Sequence, residues 1–437
     1  MSATVPRSQR MSRLSSLVAQ RVGDELAEEN LRLRRLGEEP WTTDDEMFFA
    51  HSVALTEALR LSNSLAADGD DSLSQSEQEE LSEMAVAQVL GLGRLQLLMD
   101  DDNVSDIHVK GSNPAWVKLR DGRREQRTPI VDTDDELVDL VRRAATRMSR
   151  SERRFDTASP ELNLQLPDGS RLFAAMEVSQ RPTLVIRKHK FDMSHLGDLH
   201  AAGLFDSTTM AFLVAAVRAK RNIIICGGTG SGKTTLLRGL LNEVGPLERI
   251  VTIEDAYELG IERFEELHPD HDALQSRPPN VEGHGEITLA ELTRMALRMD
   301  PDRVIVGEVR GAEAFPMLLA MSQGNNGSMC TLHADSARSV FPKLAAYVSM
   351  ASTGLPIETI NVLIASAVHF VVHIEAVDGV RRIKSILEVA AADGPTIVSN
   401  EIFSSMERST ARQFASLRES TRGLLEQHGF SAMRRFA

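Results

Sequence analysis

The stretch Ile223–Leu237 reads IIICGGTGSGKTTLL. An apolar run enters a glycine-rich turn, and a helix-forming sequence leaves it. Within it, Gly227–Thr234 matches G-x-x-x-x-G-K-[ST] in full, in the strand–loop–helix frame that a phosphate-binding loop requires. Glycines let backbone N–H groups wrap phosphate oxygens, and the helix start adds its dipole. In such a loop Lys233 reaches the β- and γ-phosphates and Thr234 holds Mg²⁺. The reading is a site for a nucleoside triphosphate formed by Gly227, Gly228, Thr229, Gly230, Ser231, Gly232, Lys233, Thr234 and Thr235.

Outward from the loop, helices alternate with short apolar strands. STTMAFLVAAVRAK precedes the first strand, and RIVTIE, RVIVG and SMCTLH supply later ones. Thr288 and Glu291 fit a capping box for TLAELTRMALRM, which stops at Asp300-Pro301. VHFVVHIEAVDGVRRIKSILEVA reads as a hairpin turning at Asp378-Gly379. This pattern predicts an α/β domain with a mostly parallel sheet over 206–399. Upstream, VSDIHVKG, AWVKLRDGRR and TLVIRKH read as strands and turns, and LNLQLPDGSRLFAAMEV as a hairpin turning at PDGS (167–170), of an α+β domain over 81–190. The remaining expectations are a helical extension over 1–65, an acidic linker over 66–80, a bridge over 191–205 and a helical tail over 400–437.

Composition narrows the function classes. The 437 residues carry a formal net charge of −14 and only 4% aromatic side chains. That balance argues against a protein whose main partner is nucleic acid, which shows basic faces or stacking aromatics. Cys226 and Cys330 are the two cysteines, far apart in apolar runs, and read as buried thiols of a reducing compartment. No run approaches the roughly 20 apolar residues of a membrane helix, and the N-terminus lacks a signal-peptide core. The expected location is cytoplasmic, with any membrane association through a partner or a surface.

Three further strand ends carry polar groups. RVIVGEVRG (303–311) delivers Glu308 where a magnesium-directed acid would stand, although Gly307 occupies the position of the usual Asp. IVTIEDAYEL (250–259) supplies Glu254, Asp255 and Glu258, any one of which can orient or deprotonate an attacking water. GNNGSMCTLHADS (324–336) ends a strand at His333. Carboxyl ends of parallel strands are where ligands of such sheets bind. Arg263, Arg277, Arg294, Arg298 and Arg310 lie between these motifs and are candidates for an arginine acting across a subunit boundary.

The order GGTGSGKTTLL, TIEDAYEL, RPPNVEGHGEITLAELTRMALRMDPDRVIVGEVRGAEA, GSMCTLHADS resembles the secretion-ATPase superfamily of type II and type IV secretion. The match is closest to its Tad/CpaF-type branch, which drives assembly of Flp-like pili, and covers roughly residues 85–390. The resemblance implies a RecA-like P-loop ATPase domain behind an α+β N-terminal domain, with ATP and Mg²⁺ as ligands. It makes Gly227–Thr234 the Walker A motif, places Glu254, Asp255 and Glu258 in the Asp box, and makes Glu308 the Walker B acid, with Gly307 normal before it. His333 becomes the last histidine of the His box. An earlier histidine of that box is replaced here by Asn325, which can hydrogen-bond but carry no charge. The resemblance also places Arg187 near the nucleotide. It implies a homo-hexameric ring, peripheral to the inner face of the cell membrane, that acts on inner-membrane platform proteins. Lys233, Glu254, Glu308 and His333 are then the catalytic set, Thr234 and Glu308 the Mg²⁺ set, and Arg263, Arg277 and Arg310 the first candidates for a trans arginine. Two other readings stand beside the motor: an ATP-binding structural or regulatory ring with little turnover, and a conjugative DNA-transfer ATPase. No LSGGQ-type segment of an ABC ATPase is present.

Overall fold

Apolar residues at helical spacing, then at strand spacing, lay out the chain in blocks. The computed structural model describes residues 7–38, 41–67, 69–148, 154–188, 195–280, 282–405 and 411–431. They fall into two units divided at residue 189.

The first unit begins with three helices, α1 (Arg7–Leu36), α2 (Thr43–Ala67) and α3 (Gln75–Val89). Val18 and Val22 of α1, Ala50, Ala54 and Ala58 of α2, and Leu81 and Ala85 of α3 share one core. The alanines, four residues apart on α2, form a single smooth stripe that lets its neighbours approach. The acidic stretch 66–80 is therefore not wholly a linker. Ser74 accepts from the Glu77 amide while the Glu77 side chain accepts from the Ser74 amide, a capping box that starts α3 inside it.

Next come α4 (Leu95–Asp100), β1 (Val104–Lys110), β2 (Trp116–Leu119), β3 (Arg124–Gln126), α5 (Asp134–Met148), β4 (Glu161–Gln165), β5 (Arg171–Ala175) and β6 (Thr183–Arg187). The strands form an antiparallel sheet in the order β3-β2-β1-β6-β5-β4. Leu137, Leu140, Val141 and Ala144 of α5 share a core with alternate strand residues such as Ile107, Val109, Leu184 and Ile186. The hairpin expected at Asp168-Gly169 is present, with Gln165 opposite Arg171.

In the second unit the order is α6 (Leu196–Ala201), α7 (Ser207–Arg218), β7 (Ile223–Gly227), α8 (Lys233–Leu241), β8 (Ile250–Glu254), β9 (His271–Gln275), α9 (Leu289–Ala296), β10 (Arg303–Val309), α10 (Ala314–Ser322) and β11 (Met329–Leu332). Then follow α11 (Val340–Met350), α12 (Ile357–Ala367), β12 (Phe370–Val377), β13 (Val380–Asp393), β14 (Thr396–Ser404), β15 (Arg412–Gln413) and α13 (Glu419–Gln427). One sheet takes all nine strands in the order β15-β14-β13-β12-β7-β11-β10-β8-β9. The run from β12 to β9 is parallel, and β13 to β15 extend it antiparallel.

Both faces of this sheet are covered, which is why its central strands read as unbroken apolar runs. Ile223 and Ile225 of β7 enter the core on one face, and Ile224 and Cys226 enter the core on the other. At the entrance to β7, buried Asn222 ties the strand starts together. Its Nδ2 donates to the carbonyls of Met321 and Ala367 at 2.8 and 2.6 Å, and its Oδ1 accepts from the amides of Gly327 and Ser328 at 2.8 and 3.1 Å.

Two expectations need correction, and one strand was missed. The described part of 400–437 is not a helical tail set apart from the sheet. β14 crosses residue 400, and Ile402, Phe403, Ala411, Leu417, Leu425 and Phe430 are buried in the domain core. The bridge 191–205 contributes Leu196, Leu204 and Phe205 to that same core, so its described part belongs to the second unit. HDALQ forms β9, a strand the sequence pattern did not reveal, because its residues are all half-buried and only one of them is strongly apolar.

Candidate active site

The phosphate-binding loop is shaped by what lies behind it. Gly227 ends β7 with φ of 157°, and a Cβ there would sit 2.2 Å from the carbonyl oxygen of Ile374 on β12. No larger residue fits without parting the two strands. Gly232 has φ of 100° and begins α8, in the left-handed region that glycine enters at little cost. Gly228, Thr229 and Gly230 between them are exposed. Lys233 opens α8 but is 7% exposed, and its ammonium donates back to the carbonyls of Gly227 and Gly228 at 3.1 and 2.9 Å. Burial pushes its pKa down, against the pull of Glu308.

β7, β11, β10 and β8 run parallel, so their carboxyl ends bring residues from four distant parts of the sequence to this loop. His333 follows β11 and lies 3.4 Å by Nδ1 and 3.3 Å by Nε2 from the Lys233 ammonium. Its Nε2 is 2.8 Å from Oε1 of Glu308. Burial and the Lys233 charge hold the imidazole pKa below its ordinary value. A neutral ring with its proton on Nε2 satisfies both neighbours, donating to Glu308 and accepting from Lys233 at Nδ1. Lys343 fixes the same residue from behind, donating to the His333 carbonyl at 2.6 Å.

Arg310 continues the charge chain. Its Nε lies 3.6 Å from Glu308, and its guanidinium pairs with Asp255. Asp255 also accepts from Ser276 Oγ at 2.8 Å. Thr234 Oγ1 donates to Glu258 Oε2 at 3.4 Å. Glu258 in turn gives its backbone amide to Oε1 of Glu254 at 2.9 Å, beside the Leu259 amide at 3.0 Å.

Glu254 is the most unusual of these groups. It is 3% exposed, and its Oε2 has no hydrogen-bond partner among the described residues. Burial raises its pKa to about 7, although the two amides oppose the rise. Its position explains Gly307. A Cβ on Gly307 would lie 3.0 Å from Cγ and 3.3 Å from Oε1 of Glu254. The glycine in the place of an aspartate is the space the neighbouring strand's glutamate occupies.

The structure thus brings together Lys233, Thr234, Glu254, Asp255, Glu258, Glu308, Arg310 and His333. It does not bring the other arginines there. Arg277 donates to the Gly285 carbonyl at 2.8 Å, and Arg263 lies exposed in a short 3-10 turn. Arg187 belongs to the first unit, where it pairs with Asp106 at 3.1 Å. Asn325 precedes β11, at the opposite end from His333, and donates to the Pro301 carbonyl at 2.5 Å. Its exchange for histidine touches strand-start packing.

One residue escaped the sequence reading. Arg381, just past the β12–β13 turn, donates from Nε to the Gly230 carbonyl at 3.0 Å. Its Cδ lies 3.3 Å from where a Gly232 Cβ would stand. The loop carries a second cation overhead, delivered by a hairpin about 150 residues downstream, where local pattern gives no signal.

A glycine-rich loop closed by a buried lysine, with carboxylates from two neighbouring strand ends, defines a P-loop nucleoside triphosphatase. The family model described as type II/IV secretion system protein matches residues 91–378. A Mycobacterium tuberculosis H37Rv protein named for conjugal transfer is 36% identical over 329 residues, covering 72% of this chain and 90% of that protein. The type IV secretion system protein VirB11 of Brucella suis is 39% identical over 168 residues, which is 38% of this chain and 45% of its own. The crystal structure of a Brucella suis VirB11 ATPase with sulphate covers 68% of this chain and 96% of its own, at 27% identity and a TM-score of 0.37. The chain belongs to the type II/IV secretion system protein family and is an ATPase of its P-loop type.

Proposed function

We propose that this chain is the ATP-hydrolysing motor of a Flp/Tad-type pilus or a related type II/IV secretion machine. It works as a hexameric ring, cytoplasmic and peripheral to the inner face of the membrane, and passes its motion to inner-membrane platform proteins. No helix among the described residues is long and apolar enough to cross a membrane.

The observation that carries the catalytic reading is Glu254, a buried carboxyl at a strand end with one oxygen unpartnered and its pKa lifted to about 7. A base poised near the working pH is the efficient one. Glu254 takes the proton of the attacking water. Lys233 and the loop amides hold the β- and γ-phosphates, and His333 links Lys233 to Glu308. Arg263, Arg277 or Arg310 serves a neighbouring subunit's site.

Mg²⁺ fits the donors present. Thr234, Glu258 and Glu308 offer hard oxygens, and the described residues hold no cluster of three or more His, Cys, Asp or Glu side chains able to hold a metal alone. That is the pattern for a cation held by one or two protein oxygens together with phosphates. Thr234 and Glu308 would hold it, and when bound it neutralises charge developing on the phosphates.

Phosphate release measured across protein concentration tests this. Specific activity rises with concentration, and Lys233→Ala and Glu308→Ala lose it. Activity independent of concentration sinks the ring, and mutants as active as the parent sink the site. A second reading, DNA transfer, is favoured by the name of the M. tuberculosis relative. Stimulation of turnover by single-stranded DNA would promote it over the pilus motor.

A further inference from the structure

At the end of β7 away from the phosphate loop lies a cavity of about 280 Å³, lined in part by Arg221, Ser366, His369, Arg418, Ser420 and Thr421. Arg221 stands five positions before Cys226, roughly 17 Å at a strand's rise, so this is not the ATP site.

The cavity is unusual for its charge. Arg418 is fully committed: Nε donates to buried Glu388 at 2.9 Å, and Nη1 and Nη2 donate to the carbonyls of Ala390 and Val389 at 3.2 and 2.8 Å. Arg221 is not. Its guanidinium makes no hydrogen bond or ion pair with any described residue, and its Nε is buried without a partner. Burial and the nearby Arg418 charge disfavour its charged form. Between them stands His369, whose Nδ1 accepts from the Asn222 amide at 3.0 Å, which leaves Nε2 as an N–H donor. Burial, Arg221 and Arg418 together press its pKa down to about 4. Ser420 and Thr421 lie in the first turn of α13, after Glu419, whose side chain is exposed, and the first amides of that helix have no intrahelical acceptor.

A half-buried cation set beside another cation destabilises a fold unless an anion completes it. Glu388 and the Val389 and Ala390 carbonyls are taken up by Arg418, and the side chains that remain around Arg221 can all donate. An arginine fork with surrounding N–H and O–H groups matches an anion with several acceptor oxygens. We propose that this cavity is a second anion site, for a phosphate group, with Arg221 as its unpaired ligand. The phosphate is carried either by a small soluble ion or by a lipid headgroup.

The test is thermal unfolding of the full chain with its phosphate loop saturated by Mg²⁺ and a non-hydrolysable ATP analogue. Inorganic phosphate and pyrophosphate are titrated against a chloride control, in wild type and Arg221→Gln. The variant breaks no hydrogen bond, so it folds. Wild type gains melting temperature with phosphate, and Arg221→Gln loses that gain, with affinity weakened at least about tenfold, the loss expected of a charge-assisted contact. Without phosphate the variant is at least as stable as wild type. If phosphate acts on neither protein, co-sedimentation with phosphatidylglycerol vesicles, lost in Arg221→Gln and absent for phosphatidylcholine, identifies the headgroup. Wild type and variant behaving alike in both arms overturns the proposal.

Discussion

Glu254 at the end of β8 occupies the space that a side chain at Gly307 on β10 would fill, with 3.0 Å between its Cγ and the absent Cβ. Two residues more than fifty positions apart thereby specify each other. Gly307→Ala should displace the Glu254 carboxylate while leaving Lys233 and the loop in place. Overpacking of this kind costs about 1–3 kcal/mol. We expect turnover to fall more than tenfold with nucleotide affinity little changed, read by phosphate release beside binding of a fluorescent ADP. A fully active Gly307→Ala removes the link between this contact and the chemistry.

The raised pKa of Glu254 makes a stability prediction with a definite sign. The folded state holds a proton that the unfolded state has released between pH 4.5 and about 7. The unfolded state binds fewer protons in that window, so this group's contribution falls as pH rises through it. From 4.5 to about 7, at about 1.4 kcal/mol per pH unit, the loss is on the order of 3 kcal/mol. Glu254→Gln should therefore be inactive yet more stable than wild type at pH 8, and no more stable at pH 4. Denaturant unfolding at the two pH values decides it.

His333 stands between Lys233 and Glu308. His333→Ala removes the bridge but leaves both charges, which can then pair directly. Turnover should drop by about tenfold, the scale of one lost positioning hydrogen bond to a charged group. ADP binding should stay close to wild type. A variant that loses ADP binding instead would make His333 part of the phosphate grip.

Arg381 has a separable role because it comes from outside the sequence motifs. Arg381→Ala loses one charge-assisted bond to the Gly230 carbonyl at an exposed position, worth about 1 kcal/mol. Nucleotide affinity should weaken about fivefold, with maximal turnover largely kept. Arg381→Lys should recover part of it and lose it again at high salt, because an ammonium keeps the charge without the fork.

Much of this protein was legible from local chemistry. The phosphate loop, the capping box at Thr288, and the turns at Asp168-Gly169 and Asp378-Gly379 are short-range devices, written in residues a few positions apart; the equally local box at Ser74 was hidden by the acidic, glycine-bearing stretch around it. The unbroken apolar strands declared a sheet buried on both faces for the same reason. The motif order likewise named Lys233, Glu254, Glu308 and His333 as one site.

What tertiary structure decided are the relations that span the sheet. The strand order puts β12 beside β7, and that alone sets Arg381 over Gly230 and makes Gly227 obligatory. It turned Gly307 from a missing aspartate into room for Glu254. It sent Asn325 to the far end of β11 and drew β14, β15 and α13 into the core. It left the Arg221 guanidinium without a partner among the described residues. Periodicity reports which face of an element is buried; it carries no record of which element will lie against that face. Partners distant in sequence are chosen only when the sheet assembles.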